Sequence, residues 1–185
     1  MTIPQEEQYY TYADYCTWDD GCRWELIDGI AYAMVPAPST EHQGILVELT
    51  RQFSNFLKGK QCKVFIAPYD VRLNADSDDD TVVQPDLVVV CDHTKIDVKG
   101  CKGAPDIVVE ILSPASLKHD RLIKFQAYQK AGVHEYWIVD PDAKTVSVHI
   151  LDNGRYYVSS YGDADSVRVH VLEGCEIQLQ DVFAV

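Results

Sequence analysis

Two carboxylates in this sequence stand where carboxylates are costly. Asp86 directly precedes the apolar run Leu87-Val88-Val89-Val90, and Glu110 directly follows Ile107-Val108-Val109. An ionised carboxylate in a core is rarely tolerated without a partner. If the two runs are neighbouring strands, the groups can face each other. Like charges about 4 Å apart repel by roughly 4 kcal/mol at an effective dielectric near 20. A shared proton, a cationic side chain or a divalent metal must offset that. The metal alternative uses the hard oxygen ligands that Mg2+ and Mn2+ prefer, with positions left for water and a phosphate oxygen. The bland alternative is that each carboxylate makes a local ion pair or caps a strand end. Lys124 lies fourteen residues after Glu110, on the helix that follows its strand, one turn from Asp120 and one from Tyr128. It is either half of an exposed pair with Asp120 or a cation reaching back to the carboxylates and their attacking water.

The elements that must position these groups are legible in outline. Tyr9 to Trp18 is aromatic-rich and fits a short helix on the main body. Trp24 to Val35 reads as a hairpin around Asp28-Gly29, a strong two-residue turn signal, ended by Pro36 and Pro38. Ser39 or Thr40 caps a helix to about Leu57, with Ile45, Leu46, Leu49, Phe53, Phe56 and Leu57 at helical spacing and Gly59 as the stop. Lys63 to Leu73 predicts one strand, Asn74 to Asp80 a solvated acidic turn, and Thr81 to Val90 a second strand in which Pro85 marks an edge or bulge. Asp106 to Leu112 is a buried strand carrying Glu110. Ser116 caps a helix through Ala131, closed by Gly132, and Glu135 to Asp140 is a short apolar strand. Thr145 to Leu151, Arg155 to Ser160 and Val167 to Leu172 alternate as a meander extending the sheet. The order implies a mixed sheet with helices on its faces.

Composition bounds the function. The length suits one domain, and no apolar stretch is long enough to span a bilayer. The residues at the N-terminus lack the basic region and apolar core of a secretory signal. Cys16, Cys22, Cys62, Cys91, Cys101 and Cys175 show no C-x-x-C pair or zinc spacing and read as reduced thiols of a cytoplasmic protein. With 16 basic and 29 acidic residues the net charge is -13, which opposes a general nucleic-acid binder. Screening over about 8 Å leaves room for a local site. His93, His119, His134, His149 and His170 are scattered, and no P-loop, dinucleotide fingerprint or G-x-S-x-G elbow occurs. Tyr136 and Trp137 are read as core rather than as a base-stacking platform.

Six blocks carry a resemblance. They are Trp24-Glu25-Leu26-Ile27-Asp28-Gly29, Pro38-Ser39-Thr40-Glu41-His42, Val83-Gln84-Pro85-Asp86-Leu87-Val88-Val89, Gly103 through Pro114, Asp120-Arg121 with Lys124, and Tyr136 through Pro141. In this order, over roughly residues 10 to 150, they resemble the Uma-type endonuclease family, a domain of unknown function in the PD-(D/E)XK restriction-endonuclease-like superfamily. The resemblance implies an α/β (α+β) fold in a single domain over 1–185. Its restriction-endonuclease-like core, a mixed β-sheet flanked by helices, spans about 20–150, and an added C-terminal β-meander spans 145–185. It makes Asp86 and Glu110 the motif carboxylates. The superfamily lysine two residues after Glu110 is replaced by Leu112, and Lys124 matches the members that carry it on the next helix. Glu25 and His42 match pocket positions, although alone Glu25 reads as a strand-end surface charge and His42 as a locally bonded first-turn residue.

The implied chemistry is metal-assisted phosphodiester hydrolysis. Asp86, Glu110 and the backbone carbonyl of Ile111 would hold Mg2+ (or Mn2+), Lys124 would orient water, and Glu25 would accept a metal-bound water or a second ion. DNA is the expected substrate. A catalytically weak protein-interaction module and a hydrolase of a smaller phosphoester are the alternatives. Homodimerisation is a further expectation, taken from the habits of related nucleases rather than from any residue here.

Overall fold

The computed structural model describes residues 8–34, 38–113 and 119–184, with backbone alone at 119–121. The short helix α1 (Tyr12–Tyr15) is closed at its start by Thr11, whose N–H and hydroxyl both donate to Asp14 Oδ2 at 2.8 Å. Strands β1 (Trp24–Ile27) and β2 (Ile30–Ala33) pair around Asp28 and Gly29, both left-handed at φ 47° and 76°. That is the two-residue turn the sequence predicts. Gly29 is also required sterically, because a Cβ there would fall within the ring of Tyr9. Helix α2 (Thr40–Leu57) is capped by Ser39, whose Oγ accepts from the His42 amide at 3.1 Å.

The segment from Lys63 to Leu73, expected as one strand, forms two: β3 (Lys63–Ile66) and β4 (Asp70–Arg72). Thr81 to Val90 likewise divides into β5 (Val82–Val83) and β6 (Leu87–Val90). In both cases the halves belong to different sheets. The physical reason is shared: Pro68 and Pro85 lack the N–H a ladder needs, so the chain leaves one sheet and enters the next there. The acidic turn is less solvated than expected. Asp79 pairs with Arg72, and buried Asp80 accepts from Tyr9, Asn74 and Thr81.

Strands β7 (Gly100–Lys102) and β8 (Ile107–Ile111) follow. A π-helical segment His119–Lys124 then runs into α3 (Phe125–Ala131), which Gly132 ends at φ 85°. The expected Ser116 cap lies outside the described residues. Strands β9 (Glu135–Asp140), β10 (Thr145–Asp152) and β11 (Arg155–Gly162) form an antiparallel meander. The third predicted strand of that extension does not join it. Strands β12 (Ser166–Arg168) and β13 (Glu176–Gln178) pair with each other, followed by α4 (Leu179–Val182).

The main sheet has the order β11-β10-β9-β8-β6-β3, parallel only between β8 and β9. A second sheet, β2-β1-β5-β4-β7, supplies the strand carrying Glu25. Because side chains alternate along a strand, β6 and β8 contribute to two cores. Leu87, Val89, Ile107 and Val109 meet α2, β12, β13 and α4, whereas Val88, Val90 and Val108 meet the second sheet and α3. Phe53 of α2 packs on Trp137 of β9, both fully buried, with ring centroids 5.8 Å apart. Truncating either ring costs about 3–5 kcal/mol at such positions. Tyr136 and Trp137 are thus core, as the sequence implied. Buried Glu135 accepts from Trp137 Nε1 at 2.8 Å and from the Val171 amide at 2.9 Å, which ties the C-terminal unit to the sheet.

The cysteine expectation is corrected for one pair. The β3–β6 register places Lys63 across from Val90, so the next residues outward, Cys62 and Cys91, face each other and form a disulfide. The reading of Cys62 and Cys91 as reduced thiols missed this because the pairing depends on register, not spacing. Cys16 and Cys22 are exposed thiols, and Cys101 and Cys175 are buried ones. No helix among the described residues is long and apolar enough to cross a membrane.

Candidate active site

Asp86 follows Pro85, where the chain crosses from the second sheet to the main sheet. The β6–β8 register pairs Leu87 with Val109, and one further step sets Asp86 across from Glu110, on the face that α3 covers. Opposed residues of antiparallel strands hold their Cβ atoms about 4.5–5.5 Å apart. Asp86 Oδ2 accepts the Ile111 amide at 2.7 Å and lies 3.3 Å from His42 Nε2, and its side chain keeps 19% of its exposure. His42 reaches it from the first turn of α2, so the Ser39 cap that starts the helix also aims the imidazole.

Glu110 is only 3% exposed. Its Oε1 accepts from Lys124 Nζ at 2.9 Å and from the Tyr128 hydroxyl at 2.6 Å. The same ammonium lies 2.9 Å from Oε1 of Glu25, itself 3% exposed, and that oxygen also accepts the Gln84 amide at 2.8 Å. Lys124 is 4% exposed and joins the two carboxylates. The cation therefore offsets the repulsion between Glu110 and Glu25, not that between Asp86 and Glu110 which the sequence posed; Asp86 is met by His42 and the Ile111 amide. Lys124 ends the π-helical segment, and Tyr128 lies one α-helical turn further, so both reach the same oxygen. Burial, and then the charge of Glu110, pushes the Tyr128 hydroxyl well above its ordinary value, so it stays a donor.

The structure thus brings the five predicted side chains into two adjoining sets, Glu25–Lys124–Glu110 and His42–Asp86, joined through the Ile111 amide that Asp86 accepts. The reading of Glu25 as a surface charge is overturned by its burial, and that of His42 as a purely local partner by its contact with Asp86. The exposed-pair alternative for Lys124 is overturned as well, and the Asp120 side chain lies outside the described residues. Leu112, at the superfamily's lysine position, is buried in the apolar cluster with Ala127 and Tyr128, which leaves Lys124 as the cation of the site. The sequence reading missed Tyr128 and Gln84 as site residues. The spacing of Tyr128 from Lys124 was its one signal, whereas the role of Gln84 rests on a backbone N–H that no side-chain pattern reveals.

Among the described residues, no three His, Cys, Asp or Glu side chains converge so as to hold an ion by themselves. The oxygen chemistry nevertheless fits a hard divalent cation, because Mg2+ is commonly held by one or two carboxylates and keeps several waters. Three carboxylates against one ammonium leave the group with a formal charge of -2 when His42 is neutral.

Comparison with a solved structure bears on the fold. The chain superposes with a TM-score of 0.76 on a crystal structure from Anabaena variabilis described as "a putative nuclease belonging to DUF820", covering 95% of this chain and 98% of that one at 20% identity. The two share the same mixed-sheet, helix-flanked fold. A family model described as "Putative restriction endonuclease", Uma2, matches residues 7–180, and the chain belongs to that family. It is also 27% identical over 160 residues to a Synechocystis protein described as "Uncharacterized protein slr1290", covering 84% of this chain and 82% of that one.

Proposed function

We propose that this protein is a divalent-metal-dependent nuclease that hydrolyses phosphodiester bonds, with DNA as substrate. The observation that carries the reading is the buried Lys124 ammonium held between Glu110 and Glu25, beside an Asp86 that keeps contact with solvent. Asp86, which keeps contact with solvent, and the buried Glu110 and Lys124 supply the two carboxylates and the lysine that phosphoryl hydrolysis needs. Asp86, Glu110 and the Ile111 carbonyl would hold Mg2+ or Mn2+. Such an ion, when bound, polarises a phosphate oxygen and lowers the pKa of a water.

The protein's own groups do the rest. Tyr128 and Lys124 fix the orientation of Glu110, and the Ile111 amide and His42 fix that of Asp86. The Lys124 ammonium offsets negative charge as the water oxygen bonds to phosphorus and the ester P–O bond breaks. Glu25, held by the Gln84 amide, would accept the water's proton, and the departing ester oxygen would take a proton from bulk water.

The test is incubation of duplex and single-stranded DNA with Mg2+, Mn2+ or EDTA, using wild type and Asp86→Asn. Cleavage that requires metal and falls at least about a hundredfold in the variant is expected. No cleavage by folded wild type with either metal, or equal cleavage by the variant, would overturn the proposal.

A further inference from the structure

Beyond the carboxylates, the α3 face of the main sheet carries a second feature. Extended through the strand registers, the row that starts at Asp86 and Glu110 continues to Ile138 of β9, Ser147 of β10 and Ser160 of β11. Strands lie about 4.8 Å apart, so Ser147 stands about 10 Å from Glu110 along this row. Ile138 and Ser147 line a cleft of about 510 Å3 between α3 and β9–β10. That volume falls in the roughly 300–1,000 Å3 range of small-ligand sites.

The lining is chemically distinctive. Phe125 of α3 meets His149 edge-on, with centroids 5.4 Å apart, which gives an aromatic wall, and Tyr156 packs on Phe125 from outside the lining at 5.3 Å. His149 lies with Nδ1 3.1 Å from the Tyr136 carbonyl, and burial lowers its pKa, so the ring is neutral near pH 7. Ser147 and Gln126 add a hydroxyl and an amide, and Asp140 adds a carboxylate. No lysine or arginine lines the cleft among the described residues. These walls suit a flat, uncharged, hydrogen-bonding group and repel a phosphate.

We propose that the cleft holds an unstacked base of the substrate strand beside the scissile phosphodiester, so that the substrate is single-stranded or locally unpaired nucleic acid. The inference rests on the nuclease reading above. A base inside a duplex is stacked and paired and cannot enter such a cleft without being extruded. Base stacking on aromatic rings also supplies affinity that phosphate contacts cannot readily supply to a chain of net charge -13.

The test measures binding of a fluorescein-labelled single-stranded 20-mer and of its duplex by anisotropy in EDTA, and cleavage of both in Mg2+. The variants are Phe125→Leu, Gln126→Ala and the cleft-filling Ser147→Trp. Wild type should bind the single strand at least about tenfold tighter. Phe125→Leu should weaken single-strand binding by about fivefold or more, the lower end of the stacking contribution, and all three variants should bring the single-strand to duplex ratio toward one. Gln126 is exposed on α3, so its variant stays informative if Ser147→Trp fails to fold. Equal binding and cutting of both forms, or unchanged ratios in folded Phe125→Leu and Gln126→Ala, would overturn this inference and leave the nuclease standing. Failure of wild type to bind or cut either form would overturn both.

Discussion

Replacing Lys124 by Met removes the ammonium and keeps the length of the side chain, so its consequence follows from the geometry. Glu25 Oε1 and Glu110 Oε1 each lie 2.9 Å from Nζ, so they are no more than 5.8 Å apart. At an effective dielectric near 20, two charges at that distance repel by roughly 3 kcal/mol. Removing one member of a buried ion pair typically costs about 3–5 kcal/mol, and the repulsion falls at the lower end of that range. The folded variant relieves part of it by protonating one carboxyl, whose pKa the charge of the other raises above the ordinary carboxylate range. A carboxyl with a raised folded pKa binds more protons folded than unfolded, so the destabilisation shrinks as pH falls towards the ordinary carboxylate range. Urea unfolding followed by circular dichroism should show a loss of about 3–5 kcal/mol at pH 8, and a smaller loss at pH 5. A loss below about 1 kcal/mol that is the same at both pH values would refute the placement of Lys124 between the carboxylates.

Three further outcomes are expected. Tyr128→Phe deletes one donor to Glu110 and should cost about 1.5–3 kcal/mol in urea unfolding, with a nuclease rate that falls while the pH at which it is half-maximal shifts upward. His149 has its pKa lowered from 6.5 by burial, so the unfolded chain binds more protons just below that value. Stability should therefore rise with pH up to about 6.5, and thermal melts of His149→Phe should lose that part of the slope. Cys62→Ser with Cys91→Ser opens a loop of 29 residues in sequence separation and should cost roughly 3–4 kcal/mol on the chain-entropy estimate. Mass spectrometry of the alkylated wild type should show four reactive thiols after denaturation without reductant, the four cysteines outside the bridge.

Asp86 and Glu110 were legible because a carboxylate against an apolar strand is a local anomaly that any core must resolve. Lys124 could be singled out by its distance from Glu110, yet its burial depends on the π-helical segment, which no spacing rule announces. Glu25 joins the site only because the second sheet folds over the main one, a contact between residues 85 apart in the chain. The turn at Asp28-Gly29, the Ser39 cap and the Gly132 stop were readable because each is a backbone requirement met by one residue type. The divisions at Pro68 and Pro85 were not, since a strand signal does not say which sheet a strand will join. Proline alone marked the places. The Cys62–Cys91 bridge and the separate β12–β13 hairpin were hidden for the same reason, as both follow from register and packing between distant segments.

The proposed nuclease chemistry depends on a divalent ion held by Asp86 and Glu110. Calorimetric titration of Mn2+ into wild type, Asp86→Ala and Glu110→Ala, each with and without inorganic phosphate, addresses it most directly. Wild type should bind the ion, and both folded variants should not. Absence of binding by wild type even with phosphate, or unchanged binding in either variant, would contradict it.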